Sequence, residues 1–143
     1  MKTWITIGIG LVIMGIIAAF VVYKFVYNKP HPDYETKDAD FKIEAQQLFS
    51  EFKSNENAAS LKYGGKVIEI TGKPSSIEEA DSMLIVVFAF EEGMFGSEGI
   101  RVTMLAKFND QVKGLPLDNM TLKGFCTGFN DTDIIFEKGS IVK

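Results

Sequence analysis

Residues 82–105 read SMLIVVFAFEEGMFGSEGIRVTML. From Ser82 to Phe90 the run is almost wholly apolar and rich in β-branched and aromatic side chains, the pattern of a strand covered on both faces. A glycine-containing connection, Glu91 to Glu98, follows it. Ile100, Val102 and Met104 then alternate with Arg101, Thr103 and Leu105, the period of two that a half-buried strand imposes. Working outward, Lys66 to Gly72 (KVIEITG) also alternates, with Ile68 and Ile70 on one face. Downstream, Phe108 to Leu115 reads as a loop or a short helix. Met120 to Phe129 (MTLKGFCTGF) alternates again, with Gly124 and Gly128 suited to bends or bulges. Asn130-Asp131 marks a turn before a last strand, Asp133 to Val142.

Upstream of these strands the period changes to that of a helix. Asp40 is placed as an N-cap, and Phe41, Glu44-Ala45, Leu48-Phe49 and Phe52 predict an amphipathic helix over Phe41 to Lys53. A second short helix is expected from Asn55 to Tyr63, ended by Gly64-Gly65. The order is therefore helix, helix, three strands, a connector and two strands. That is the order of a mainly β, five-stranded Greek-key barrel of the OB type behind a helical extension. A small sandwich has the same periodicity; the barrel is the architecture expected here.

Ile5 to Val22, ITIGIGLVIMGIIAAFVV, carries no charge. Eighteen helical residues span about 27 Å, close to the hydrocarbon thickness of a bilayer. Trp4, Tyr23 and Tyr27 stand where an interfacial aromatic belt would, and Lys24 can snorkel. Ala18-Ala19 followed by Phe20-Val21-Val22 makes a poor cleavage site, and no cysteine follows to take a lipid, so an uncleaved transmembrane helix is expected. Gly8, Gly10 and Gly15 form no GxxxG pair that would favour helix dimerisation, and nothing else indicates an oligomeric state. The organisation expected is an anchor over 1–27, an extended, solvated tether over 28–39 (two prolines, many ionisable groups) and a domain over 40–143. Lys2 on one flank and Lys24 and Lys29 on the other leave the positive-inside rule nearly balanced. A signal-anchor orientation places the chain as a single-pass protein of a bacterial inner membrane with a periplasmic domain.

Charge narrows the function. Of 143 residues 46% are hydrophobic and twelve are Phe, enough for one packed core. From Asp33 onward nineteen carboxylates face twelve cations, a net charge of −7 beside −4 for the whole chain. Sequence-independent nucleic-acid binding runs on phosphate neutralisation and needs the opposite sign, so nucleic acid is not expected as a partner. Cys126 is the single cysteine and His31, in the tether, the single histidine. No intrachain disulfide is possible, a clustered His/Cys zinc site has no ligands, and a Cys-His or Ser-His-Asp arrangement has no histidine in reach. Cys126 reads as a small buried hydrophobe in a strand. Adjacent carboxylates occur at Glu78-Glu79 and Glu91-Glu92 and read as solvated loop charge. The glycines of residues 92–99 lack the Lys-Ser/Thr of a P-loop. No metal, cofactor or catalytic residue is expected.

The tether YNKPHPDYE, the segment LFSEFKSNENAASLKYGGKVIEITG, the loop EEGMFG and the late strand pair LKGFCTGFNDTDIIF together resemble the bacterial tRNA-anti-like OB-fold proteins. These are small, mostly membrane-anchored or lipoprotein-like domains of unknown role. The resemblance covers nearly all of the chain beyond the anchor and is most specific from Asn55 through Tyr63-Gly64-Gly65-Lys66 to Gly72. It implies an OB barrel behind a helical extension. It does not imply tRNA binding, since the family name records a likeness of fold to anticodon-binding domains. Many members carry further cysteines in the third and last strands; Thr103 or Met104, and Gly139, stand in those places here, so a thiol role does not carry over.

The candidate partner-binding residues are Phe88, Phe90, Met94, Phe95 and Arg101. A nucleic-acid face on an OB barrel would use aromatics such as Phe88 and Phe90 beside Arg101 and Lys107. Glu91, Glu92 and Glu98 oppose that use, and the two phenylalanines are expected inside the barrel or under the N-terminal helix. Met94-Phe95, two large apolar side chains between glycines in an acidic loop, either folds back to cap a barrel mouth or contacts a protein or peptide. The expected function is a membrane-tethered, non-enzymatic binding module for a protein, peptide or saccharide. The alternatives are a nucleic-acid-binding OB module and a structural subunit of an envelope assembly.

Overall fold

The computed structural model describes residues 1–27 and 33–143. His31 and the first part of the expected tether, 28–32, lie outside the described residues, as do the side chains of Trp4 and Tyr27. The chain divides into two units, Met1–Pro32 and Asp33–Lys143. The first is α1 (Lys2–Val22), continued by a π-helical turn at Tyr23–Tyr27. The apolar window Ile5–Phe25 has 21 residues, none of them buried, and is long and apolar enough to cross a membrane.

The second unit carries β1 (Phe41–Glu44), α2 (Ala45–Ser54), α3 (Glu56–Tyr63), β2 (Val67–Gly72), β3 (Ser76–Ala80), β4 (Met83–Gly93), β5 (Gly96–Met104), α4 (Asn109–Lys113), β6 (Met120–Phe129) and β7 (Asp133–Ile141). The strands form one open sheet in the order β1-β2-β6-β7-β5-β4-β3. Neighbours are antiparallel except for two parallel pairs, β1 with β2 and β5 with β7.

Alternation decides which face the sheet buries. Leu84, Val86 and Phe88 of β4, Ile100, Val102 and Met104 of β5, and Ile134 and Phe136 of β7 all point into one core. Helix α2 closes it with Ala45, Leu48, Phe49 and Phe52, spaced at i, i+3, i+4 and i+7. Helix α3 begins where the Asn55 side chain accepts the Ala58 N–H at 3.1 Å, and it ends at Gly64-Gly65 as expected. Gly99 is fixed by close approach: a Cβ there would run into the Phe88 carbonyl across the β4–β5 ladder. Cys126 is buried, also as expected.

Several expectations are corrected. The sheet has seven strands and is open, not a closed five-stranded barrel. Ser76–Ala80 was not expected as a strand because SIEEA shows almost no apolar alternation; its pairing with β4 makes it one. Phe41–Glu44 is a strand, not the first turn of a helix. Phe41 and Ile43 are half-buried and Lys42 and Glu44 exposed, a period of two hidden inside a pattern that also fits a helix. Asp40 starts that strand instead of capping a helix: its carboxylate accepts the Val67 N–H at 2.9 Å and its own N–H donates to the Val67 carbonyl. The latter part of the expected tether is packed, not free. Tyr34 stacks on Phe125 at 4.7 Å, and Lys123 Nζ donates to the carbonyls of Glu35 at 2.6 Å and Lys37 at 2.9 Å.

Candidate functional site

Strands β4 and β5 make a hairpin whose register runs Glu91↔Glu98, Glu92↔Ser97, Gly93↔Gly96. Residues 91–98 are thus ladder almost to the end, not the open connection expected, and Met94-Phe95 is a two-residue turn at the tip. Gly96 holds φ +123°, which glycine alone adopts without strain. Met94 is 92% exposed and Phe95 91% exposed, so the pair does not fold back to cap the core. Short turns of this kind hold side chains outward, because strand pairing leaves the backbone no room to fold them back.

The base of the hairpin is clamped. Glu91 and Glu98 face each other across the ladder, a like-charge pair that would by itself weaken the hairpin. Lys53, in the last turn of α2, places its ammonium 2.7 Å from Glu98 and 3.4 Å from Glu91 and satisfies both. The Glu98 hydrogen bond, then that of Glu91, raises the Lys53 pKa above its ordinary value. Gly93 gives the Glu98 carboxylate its place, since a Cβ there would collide with it. Glu92 is exposed and has no ion pair among the described residues.

The other candidate residues are not brought together at this tip. Phe88 is fully buried in the core, and Phe90 is half-buried against Phe49 with ring centroids 5.4 Å apart. Both lie as expected, inside the sheet or under α2. Arg101 is held on the other face of β5. Its Nε donates to Asp133 at 3.0 Å and its terminal NH1 to Glu78 at 2.8 Å. Burial is the largest single influence and works against the guanidinium charge, but the Asp133 hydrogen bond and the charges of Asp133 and Glu78 together outweigh it, and the pKa lies above the ordinary value. Lys107 pairs with Glu35.

The Cys126 thiol and the Glu51, Glu78 and Glu79 carboxylates are held in unreactive or ion-paired states. Burial pushes the Cys126 thiol up to about 11, so it stays protonated and unreactive at neutral pH. Glu78 and Glu79 lie on a strand, not a loop, and pair with Arg101 and Lys113. An open groove of about 400 Å³ between α2 and α3 contains Glu51. Its carboxylate accepts the Tyr63 hydroxyl at 2.7 Å and the Lys62 ammonium at 3.0 Å, and those bonds hold it below the usual carboxylate range. A general acid would need the opposite shift. Among the described residues no three His, Cys, Asp or Glu side chains converge to hold a metal.

The model of the tRNA_anti-like family matches residues 1–141. The chain belongs to the tRNA_anti-like family. Nine chains among solved structures match this tRNA_anti-like protein. One is a crystal structure of a lipoprotein from Klebsiella pneumoniae subsp. pneumoniae MGH 78578, named for a proposed nucleic acid-binding role. It is 19% identical, covers 80% of this chain and 100% of its own, and has a TM-score of 0.52, a likeness of fold alone. No curated protein matches.

Sequence reasoning missed Lys53, Asp133 and Glu78. Lys53 stands 38 to 45 positions before its partners, and no local pattern announces a pairing at that separation. Asp133 had a signal: a carboxylate beginning an otherwise apolar strand. In this tRNA_anti-like fold it is buried, accepting the Gly99 N–H at 3.0 Å as well as Arg101.

Proposed function

We propose that the chain is a membrane-tethered, non-enzymatic binding module of OB type that engages a protein or peptide through the tip of the β4–β5 hairpin. The observation that carries this reading is the near-complete exposure of Met94 and Phe95 at a clamped tip. Large apolar side chains held in water by a rigid turn are the raw material of an interface anchor.

The OB assignment rests on connectivity. β2 and β3 lie toward opposite ends of the sheet order, yet only residues 73–75 separate them in the chain. Three linking residues reach roughly 14 Å between the flanking Cα atoms at most. The sheet must therefore curl until those strands nearly meet, and Ser75 N donates to the Val87 carbonyl of β4 just past that junction. Reading β2 and β3 as the two halves of one bent first strand gives the five-strand order of an OB barrel, with β5 and β7 as its parallel pair. Membrane tethering is supported by the Ile5–Phe25 window, about 32 Å as a helix. We place the domain on the periplasmic face of a bacterial inner membrane. A reporter fused after Lys143, active on one side only, tests that placement.

A nucleic-acid-binding reading draws support from the named role of the Klebsiella lipoprotein. The side chains speak against it. The aromatics such a face would use are spent in packing, Arg101 is neutralised by two carboxylates, and the segment from Asp33 carries −7. Titration of the chain with fluorescent single-stranded DNA and RNA at physiological salt separates the two. No binding is expected. Micromolar or tighter affinity that falls steeply as salt rises would favour nucleic acid.

A further inference from the structure

We propose that the partner of the hairpin tip is a protein whose apolar pocket receives Met94 and Phe95 and whose rim carries lysine or arginine for Glu92; this rests on the protein-binding reading above.

Three classes of occupant could cover an exposed apolar pair on a tethered domain, and charge tells them apart. In the first, the tip enters the bilayer. Glu92 stands two residues behind Met94, about 7 Å back along a strand. Amphipathic elements sink about 5–10 Å into the interface, so insertion would bring that carboxylate, and the −7 segment behind it, against the negative potential of anionic lipid headgroups. In the second, the occupant is another copy of this chain. The segment from Asp33 carries nineteen acids against twelve bases, so two copies repel at the encounter. In the third, a separate protein supplies the cation that Glu92 lacks. Lys53 is already committed to Glu98 and Glu91, which leaves Glu92 as the free acid beside the apolar pair. A pocket with a basic rim buries the pair and neutralises that acid in one contact.

The clamp makes the tip suitable for this use. Lys53 holds both strands of the hairpin from helix α2, and Gly93 lets the Glu98 carboxylate sit across the ladder. A hairpin tied down at its base has less conformational freedom to lose on association.

The test uses the full chain in its native membrane with the substitution Phe95→p-benzoylphenylalanine, irradiated and analysed by mass spectrometry. Leu61, 87% exposed on α3, carries the same photoprobe as a control position. The expected result is one discrete protein adduct at position 95, absent at position 61, with lysine or arginine flanking the crosslinked site. Adding Glu92→Lys should lower its yield about tenfold, the loss that an opposed like charge brings. Glu92→Gln should lower it less, and Glu92→Asp should retain most of it. Adducts to lipid alone, or to a second copy alone, overturn the proposal. A protein adduct indifferent to both Glu92→Lys and Glu92→Gln overturns the charged rim and leaves the protein-binding reading standing. The absence of any protein adduct overturns both.

Discussion

Two phenylalanines seven positions apart on one hairpin should respond to the same truncation in opposite ways. Phe88 is fully buried among core side chains and Phe95 is 91% exposed at the tip. A Phe buries about 200 Å² when wholly enclosed. With less than a tenth of Phe95 covered, the area lost in Phe95→Ala is about 20 Å², or about 0.5 kcal/mol at roughly 25 cal/mol per Å². Phe88→Ala removes the full area and leaves a cavity in a packed interior, which costs about 3–5 kcal/mol. The assay is urea unfolding of the segment from Asp33 onward. Every buried core residue of that unit lies at or after Ala45, so the segment is expected to fold as a monomer without α1. With a slope of about 1.5 kcal/mol per molar urea, Phe95→Ala should move the midpoint by about 0.3 M and Phe88→Ala by 2 M or more. A Phe95→Ala shift above about 1 M would mean that the tip folds back onto the domain in solution, and the exposed-anchor reasoning would fail.

Lys53→Met should loosen the hairpin by leaving Glu91 and Glu98 opposed; faster amide hydrogen exchange over residues 91–98, with α2 little changed, is the readout. Because Glu98, then Glu91, raises the Lys53 pKa, its stabilising effect is complete below the ordinary lysine value and lost as pH climbs through the raised one. In wild type the same amides should therefore lose protection only above about pH 10.5. The Asp40 carboxylate has the opposite sign: the Val67 N–H, then Lys37, lowers its pKa, so its contribution is present above about pH 4 and lost as pH falls through the depressed value. Asp40→Asn should flatten that part of the acid-unfolding curve, and an unchanged curve would count against the strand-starting role. Cys126, buried with its thiol raised to about 11, should resist maleimide at pH 7.5 in the native state and react once urea unfolds the domain; rapid labelling of native protein would contradict the core placement.

Patterns that repeat over short range were legible in the chain. The strands around Ile68 and Ile70, around Ile100, Val102 and Met104, and through Cys126 announce themselves because a one-residue slip would turn each apolar set to water. Asn55, Tyr63 and Gly64-Gly65 bound α3 because cap chemistry is local. Phe41 and Ile43 were misread for an equally local reason: positions 41, 45, 48, 49 and 52 fit a helical stripe, and only pairing with β2 makes 41–44 extended. Ser76–Ala80 carried no strand signal of its own, since its outward residues are acids and its pairing comes from β4.

Of the candidate site, the sequence by itself singled out Met94 and Phe95, because two large hydrophobes between glycines and acids conflict with their surroundings. Whether that conflict meant a cap or a contact was beyond it, since both fates use the same residues. Tertiary structure removed the cap by running the β4–β5 ladder to Gly93 and Gly96 and leaving both side chains in solvent, while the contact remains a proposal. It also decided Arg101 and Lys53, whose meaning depends on carboxylates 32 and 45 positions away. Composition and periodicity act through neighbours in sequence, whereas charge pairing acts through neighbours in space, and only the folded sheet brings those neighbours together.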